Sequence, residues 1–203
     1  ALRVGSLPVP PLVARPAPGG ELSGSRAVAL PLNLPDFSVA WQRGQDASTA
    51  KTRMIVINSP HNPAGSVLDA SDLEALAEIV RGTEIFLLSD EVYEHIIFDG
   101  LAHQSVLRHA ELSARSFVIS SFGKTYHCTG WKVGYCIAPA LLSAEFRKVH
   151  QYLTFCTFNP AQWAFADALE SDPQHYLDLP AFYQARRDRF RALVIRRRTD
   201  ASQ

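Results

Sequence analysis

Short apolar runs of strand length recur along this chain, and the first three are each followed directly by a cluster of polar residues. The runs are continuous rather than alternating, which is typical of strands covered on both faces of a parallel sheet. They are Met54–Ile57, Ile85–Leu88 and Phe117–Ile119, with a weaker fourth at Val133–Ala138. The pattern predicts an α/β fold, with a mostly parallel sheet flanked by helices.

Helical periodicity fills the segments between and after these runs. One apolar face repeats at helix spacing in Leu73, Leu76, Ala77 and Val80. Ser71 and Glu74, at the start of this segment, have the spacing of a capping box. Further helices are predicted at residues 141–155, 160–171 and 175–193, the last dense in arginine and exposed along one side.

The composition excludes several classes of function. Twenty basic residues balance twenty acidic ones, so no net field attracts nucleic acid or an anionic membrane, and a small-molecule partner is expected. No stretch reaches the ~20 consecutive apolar residues of a membrane helix. The three cysteines, Cys128, Cys136 and Cys156, are odd in number and lack CxxC spacing. They predict free thiols in a reducing, cytoplasmic setting.

The polar clusters after the first three runs are predicted to form one site. They are Asn58–Gly65, Ser89–Tyr93 and Ser120–Lys124. Ligands of open α/β sheets bind outside the carboxyl ends of the strands, so the three clusters are expected to meet at one crevice. Small residues before Lys124 would let backbone and hydroxyl groups approach a phosphate. Taken alone, however, a lysine after a strand is more often an ordinary surface residue.

The residues in these clusters resemble one known family. SSFGKTYHCTGWKVGY, from Ser120 to Tyr135, is similar to the lysine signature of class I and II aminotransferases, which belong to fold type I of the pyridoxal-phosphate (PLP) enzymes. NSPHNPAG, beginning at Asn58, resembles the family's asparagine–proline motif, and SDEVYEH, beginning at Ser89, resembles its aspartate–tyrosine motif. The likeness covers roughly residues 29–193 and is greatest to the bacterial methionine aminotransferase group, related to kynurenine and glutamine transaminases.

The resemblance implies PLP as the cofactor and transamination between an amino acid and a 2-oxo acid, with methionine and aromatic amino acids as the candidate amino donors. It implies that Lys124 is the Schiff-base lysine and the base that moves the α-proton. Asp90 would pair with the pyridine nitrogen, and Tyr93 and Asn62 would hydrogen-bond the ring oxygen of the cofactor. The Asn62–Pro63 bond is expected to be cis.

Two further residues match the phosphate-binding positions of the family. Ser121 would contribute a hydroxyl and Lys132 a cation to the anchor of the phosphate. The family often has arginine at the position of Lys132, and lysine offers a point charge instead of a fork. Members of the family are dimers, so a homodimer is expected of the intact protein.

Other family features are not visible in this sequence. They are an upstream glycine-rich phosphate turn, an aromatic residue that stacks on the cofactor ring, and an arginine of a C-terminal small domain that binds the substrate carboxylate. We therefore expect a fragment. Residues 1–28, rich in proline, would be irregular and unlike the family. Residues 29–175 would be part of the PLP-binding large domain, and residues 176–203 a helix leading towards a missing small domain.

Alternatives to this interpretation remain open at the level of the sequence. The chain could be an inactive remnant that at most binds PLP or a partner. A PLP-fold lyase or the cofactor domain of a transcription regulator is weaker, because no helix-turn-helix pattern is present. The seven histidines lack ligand spacing, so no metal site is expected, and His61 and His127 are interpreted as loop or pocket-wall residues. Trp131 is expected to pack in the core.

Overall fold

The computed structural model describes residues 24–200, with side chains as far as Ile195. Within them, one sheet holds β1 (Met54–Asn58), β2 (Phe86–Asp90), β3 (Ser116–Ser121) and β4 (Gly134–Ile137) in that spatial order. β1, β2 and β3 are parallel, and β4 runs antiparallel to β3. The mostly parallel α/β prediction is confirmed. Residues 1–23 of the segment predicted to be irregular lie outside the described residues.

Helices flank this sheet along the described part of the chain. They are α1 (Trp41–Ala47), α2 (Ala70–Val80), α3 (Ala110–Ser113), α4 (Phe122–Thr125), α5 (Ala140–Leu153), α6 (Asn159–Ser171) and α7 (Gln174–Asp200). Short 3-10 turns occupy Val106–Arg108 and Thr129–Trp131. The helices predicted around α2, α5 and α6 are confirmed, and α7 continues beyond residue 193 to Asp200; residues 201–203 of the segment predicted to be helical lie outside the described residues. No helix in the described range combines the length and the apolar character that crossing a bilayer requires.

The start of α2 differs from the prediction. Asp69 is the N-cap residue: its carboxylate accepts from Asp72 N at 2.9 Å, and the Asp72 carboxylate accepts from Asp69 N at 2.8 Å. The predicted capping box of Ser71 and Glu74 is therefore wrong. Asp69 lies two residues before Ser71 and has the extended backbone of an N-cap residue. Its carboxylate therefore accepts a hydrogen bond from an amide group of the first turn that has no partner within the helix. Ser71 instead lies in that turn and donates to Asp69 Oδ1 at 2.6 Å.

One face of the sheet packs against α2 to form the main core. The buried apolar residues of this cluster are Leu30, Ile55, Ile57, Leu73, Leu76, Ala77, Val80, Ile85, Leu87, Val106, Leu112 and Val118. Burying them is the largest favourable contribution to folding of this unit. The polar ends of the strands belong to the ladder itself, because Asn58 pairs with Asp90 across β1 and β2.

Helix α5 carries an exposed apolar surface. α5 buries none of its residues, and the side chains we call the α5 face, Leu141, Val149, Tyr152 and Leu153, are 59–87% exposed. Trp131 is 53% exposed and meets Phe165 at 5.5 Å between ring centroids. The expectation of a core position for Trp131 is therefore wrong, because the described residues leave more than half of its surface exposed.

Candidate active site

The carboxyl ends of β1, β2 and β3 bring the predicted clusters to one edge of the sheet. Asn58 and Asp90 are directly opposite each other in the β1–β2 ladder. Asp90 is also opposite Ile119 of β3, two residues before Ser121. The sequence-based expectation that these three ends converge is confirmed, since the strands that carry them are neighbours and parallel.

Asp90 is a half-buried carboxylate with few partners. Burial raises the pKa of Asp90 above its usual value, and the charge of Glu91 raises it further. A hydrogen bond from Val92 N, at 3.3 Å, and the charge of Lys124 act in the opposite direction. Among the described residues, the second carboxylate oxygen of Asp90 makes no hydrogen bond. A buried carboxylate of this kind is stabilised by a cationic partner, which a ligand can provide.

Tyr93 links the loop after β1 to the lysine after β3. The Tyr93 hydroxyl accepts a hydrogen bond from Asn62 Nδ2 at 3.1 Å. Lys124 Nζ lies 5.4 Å from the centroid of the Tyr93 ring, on its face. The peptide bond between Asn62 and Pro63 is cis, as expected. Asn62, Tyr93 and Lys124 are thus contributed by three separate strand ends and meet in one place.

Two glycines allow the lysine turn to pack closely on its surroundings. A Cβ atom at Gly123 would lie 2.8 Å from Thr129 Cα, and Thr129 Oγ1 donates to the Gly123 carbonyl oxygen at 3.0 Å. A Cβ atom at Gly134 would lie 2.6 Å from the Ser120 carbonyl oxygen. Any side chain at either position would push α4 or β4 away from the end of β3. The requirement at Gly134 was not predicted from the sequence, because it depends on the β3–β4 pairing.

Ser121 and Lys132 lie at the same end of the sheet. Ser121 is the last residue of β3, and its hydroxyl does not cap α4. Its ladder partner is Gly134, two residues after Lys132. Lys132 is exposed and has a left-handed backbone, with φ of 55°. Within the described range, no hydrogen bond or ion pair joins Lys132 to the other predicted site residues.

A polar cluster behind this edge was missed from the sequence. Glu91, Glu94 and His103 bring oxygen and nitrogen atoms within 4.8 Å of one another. Glu91 Oε2 and His103 Nε2 are 2.7 Å apart, which is a hydrogen bond and leaves no space for an ion between them. The three residues therefore carry no metal assignment here. The signal for the cluster was the pair of glutamates at i and i+3 in SDEVYEH, which follow Asp90 and Tyr93 respectively.

A cavity of about 390 Å³ opens beside Asn62 and Tyr93. Its apolar wall is formed by Pro60, Pro63, Val67, Ile96, Ile97, Phe98 and Leu101. His61 lines it, as expected of a pocket-wall residue, and Arg187 of α7 closes one side through a bidentate ion pair with Asp99 at 2.6 and 2.7 Å. His127 lies in the loop after α4, as expected, and its ring stacks on that of Phe182 of α7, with 5.8 Å between the ring centroids.

Comparison with known proteins gives consistent matches over most of the chain. Aminotransferase class I and II is the family that matches, over residues 21–199. A methionine aminotransferase of Escherichia coli (strain K12) is 52% identical over 172 residues, which are 85% of this chain and 45% of that protein. A kynurenine–oxoglutarate transaminase of Dictyostelium discoideum is 39% identical over 146 residues, 70% of this chain and 34% of that protein.

Solved structures agree with the sequence matches. A methionine aminotransferase of Escherichia coli superposes with a TM-score of 0.89 at 49% identity, over 92% of this chain and 50% of that one. An N-succinyldiaminopimelate aminotransferase of Mycobacterium tuberculosis has the same TM-score at 36% identity, over 94% and 51%. The chain spans about half the length of the relatives it matches. It belongs to the class I and II aminotransferases, a PLP-dependent family of fold type I.

Proposed function

We propose that this chain contributes the PLP-binding edge of an enzyme that transaminates an amino acid with a 2-oxo acid, with Lys124 as the point of covalent attachment and the catalytic base. The observation that carries the proposal is the approach of Lys124 to Tyr93 at 5.4 Å, next to the half-buried Asp90. Two strand ends that are distant in sequence, those of β2 and β3, supply these side chains, and family membership supplies the cofactor class.

The side chains present fit the cofactor. Bound PLP supplies an aldehyde carbon and a protonatable, electron-accepting ring. Asp90, whose carboxylate is short of partners, suits the cationic ring nitrogen. Tyr93 and Asn62, already hydrogen-bonded to each other, suit the ring oxygen. The amine of Lys124 would take the α-proton of the substrate and return it. Ser121 and Lys132 would bind the phosphate at the adjacent end of β3.

Methionine is the substrate we propose first, with aromatic amino acids second. The relatives described above act, by name, on methionine, kynurenine and N-succinyldiaminopimelate. Support for an apolar substrate side chain comes from the cavity beside Asn62 and Tyr93, whose wall is largely apolar. Comparing methionine, phenylalanine and aspartate as amino donors tests this. Faster half-transamination with aspartate would contradict it.

The proposed attachment is tested by borohydride reduction of the chain after incubation with PLP, followed by mass mapping of the modified peptide. We expect one reduced-cofactor adduct, on Lys124, and its loss in Lys124→Ala. Lys148→Ala, which removes an exposed lysine paired with Glu145, is the matched control and should leave the adduct unchanged. An adduct on Lys51, Lys132 or Lys148 with Lys124 unmodified would overturn the assignment.

A second candidate function is an inactive remnant that at most binds PLP or a partner. It is motivated by the share of its relatives that the chain spans, 45% of the methionine aminotransferase of Escherichia coli. Absorbance discriminates between the two. A visible band that changes on adding methionine and reverts on adding a 2-oxo acid supports transamination, whereas a colourless protein supports the remnant.

Assembly as a homodimer is also a proposal. The family resemblance suggested it, and the exposed α5 face offers apolar surface that a second copy could bury. Size-exclusion chromatography with light scattering should give twice the chain mass. Leu153→Glu, which places a charge on an 80% exposed position of this face, should shift the chain to monomer. A well-folded monomer at high concentration without any substitution would refute the proposal.

The domain boundaries and the cellular setting remain predictions. α7 begins at Gln174, so the proposed boundary at residues 175–176 falls in its first turn. The described cysteines are all free thiols, which supports the proposed cytoplasmic location. Fractionation of cells that express the protein would test the location, and limited proteolysis would test the boundary.

A further inference from the structure

We propose that Glu94 is a positioning residue, which holds the turn carrying Asp90 and Tyr93 against the end of β3 that leads to Lys124. The inference rests on the proposed function, because it concerns the placement of those three residues. Glu94 itself makes no side-chain hydrogen bond to any of the three within the described residues. Its role is to connect the turn after β2 with the end of β3. Both segments carry predicted cofactor contacts, so their relative position affects how the cofactor binds.

The turn after β2 carries two predicted site residues and two glutamates. Asp90 and Tyr93 are the predicted site residues of the turn, whereas Glu91 and Glu94, the residues that follow them, make hydrogen bonds to side chains outside the predicted site. A hydrogen bond from Glu94 N to the Glu91 carbonyl oxygen, at 2.9 Å, closes the turn. Each site residue is thus followed by a glutamate, and the contacts of that glutamate determine where the site residue is held.

Glu94 makes its contacts to the strands that lead to and from the lysine turn. Its Oε1 atom accepts from Ser120 Oγ at 2.6 Å and from Tyr135 OH at 2.8 Å. Ser120 and Tyr135 are opposite each other in the β3–β4 ladder. One carboxylate oxygen therefore joins the turn after β2 to both strands next to Ser121. Hydrogen bonds to an ionised carboxylate are the stronger kind, and both distances are short.

The burial of Ser120 and the protonation of Tyr135 both favour donation of their hydroxyl groups to Glu94. Ser120 is 2% exposed, so one of the two donors to Glu94 is an almost fully buried residue. Burial raises the pKa of Tyr135 to about 12, and the neighbouring charge of Glu94 contributes to the increase. The phenol therefore stays protonated throughout the physiological range. Loss of the carboxylate would remove the acceptor of the buried Ser120 hydroxyl and of the half-buried Tyr135 hydroxyl, which costs free energy.

Glu91, three residues before Glu94, contacts a different set of residues. It accepts from Ser89 Oγ of β2, before the turn, and from Val106 N and His103, which lie after the turn. None of these side-chain contacts reaches Ser120 or Tyr135. Glu91 therefore stabilises the turn itself, whereas Glu94 sets the position of the turn relative to β3 and β4.

The test compares Glu94→Leu, which removes the acceptor, with Glu94→Gln, which keeps an oxygen at the same position. We expect PLP to bind about tenfold more weakly to the Leu variant and within about twofold of normal to the Gln variant, the rescue that a hydrogen-bond acceptor role requires. Glu145→Leu removes an exposed glutamate of α5 paired with Lys148 and serves as the matched control. Tyr135→Phe, which removes one donor, should show a smaller loss.

A second readout does not depend on the cofactor. In the chain without PLP, hydrogen exchange of the peptide spanning residues 89–96 should be faster in Glu94→Leu than in Glu94→Gln, with exchange in α2 unchanged. Normal PLP affinity and unchanged exchange in a folded Leu variant would overturn the role of Glu94 alone. Absence of PLP binding to Lys124 in the unsubstituted chain would instead overturn the proposed function. Faster exchange everywhere would mean a general structural role and would also overturn the inference.

Discussion

Asn58 and Asp90 lie opposite each other at the carboxyl ends of β1 and β2, and the Asn58 side-chain amide donates to the Asp90 carbonyl oxygen at 2.9 Å. The oxygen of the same amide accepts from Asn62 N, also at 2.9 Å. One half-buried side chain therefore fixes both the end of β2 and the loop that carries Asn62. Asn58 is not itself among the predicted cofactor ligands, but it holds two of them in place.

Replacing Asn58 with leucine should destabilise the chain, because it removes the hydrogen bonds to the Asp90 carbonyl oxygen and from Asn62 N. We expect the free energy of unfolding to fall by about 1–3 kcal/mol. Urea unfolding measures it. Asn33→Leu, which removes one exposed side-chain contact to Ser38, is the control and should change the stability little. Equal stabilities of the two variants would contradict the bridging role of Asn58.

Replacing Asp90 with asparagine should stabilise the PLP-free chain against unfolding but lower its affinity for PLP. The folded pKa of Asp90 is raised, mainly by burial, so the folded state binds the proton more tightly than the unfolded state. Stability therefore decreases as pH rises from the unfolded towards the folded pKa, and the cost is fully present above it. Asparagine removes this cost and keeps an oxygen for Val92 N.

Thermal unfolding of Asp90→Asn and the unsubstituted chain, at neutral and at acidic pH, tests the first part. The variant should have the higher midpoint at neutral pH, and the difference should shrink as the pH falls. With saturating PLP the order should reverse, because the cationic ring nitrogen loses its counter-charge. A variant that is less stable than the parent at neutral pH without PLP would show that burial does not dominate at Asp90.

Replacing Gly134 with alanine should disrupt the pairing of β3 and β4. The added Cβ atom would lie 2.6 Å from the Ser120 carbonyl oxygen, a backbone atom that cannot rotate away. Overpacking of this kind costs about 1–3 kcal/mol. Gly130→Ala is the matched control, since nothing lies within 4 Å of a Cβ atom there. Denaturant midpoints should separate the two variants, and coincident midpoints would count against the close approach at Gly134.

Replacing Glu91 with glutamine should make stability less sensitive to acid. Burial opposes ionisation of Glu91, but hydrogen bonds from His103, Ser105 and Ser89 together prevail and lower its pKa. Its contribution is therefore present above the unfolded pKa of about 4.3 and is lost as pH falls through the lower folded value. At neutral pH the variant should lose on the order of 1–3 kcal/mol.

Unfolding curves collected from neutral to acidic pH measure both effects of the Glu91 substitution. The slope of stability against pH in the acidic range should be smaller for Glu91→Gln than for the parent. Glu84→Gln, at an exposed position, is the control and should retain the parental slope. If the two variants had the same acid profile, Glu91 would not be ionised and hydrogen-bonded as described.

Much of the fold was predictable because its signals are local. Continuous apolar runs marked β1, β2 and β3, and the repeat of Leu73, Leu76, Ala77 and Val80 marked α2. The strand ends were placed one or two residues early, because Ser89 and Asp90 are polar and continue the ladder only through their partners on β1 and β3. The cap of α2 was misplaced for a related reason, since several neighbouring residues could serve and the backbone decides between them.

The amino-acid sequence alone determined the fold class and the family resemblance. The apolar runs that indicate the fold class and the motifs that carry the resemblance are both made of residues close together in the sequence. It also indicated which edge of the sheet would carry Asp90, Ser121 and Lys124, since parallel strands end at the same edge. Only the tertiary structure decided that Glu94 would meet Ser120 and Tyr135, that Gly134 could bear no side chain, and that Trp131 would be largely exposed. These outcomes depend on distances between segments far apart in the chain, which packing and strand register determine and which no local pattern encodes.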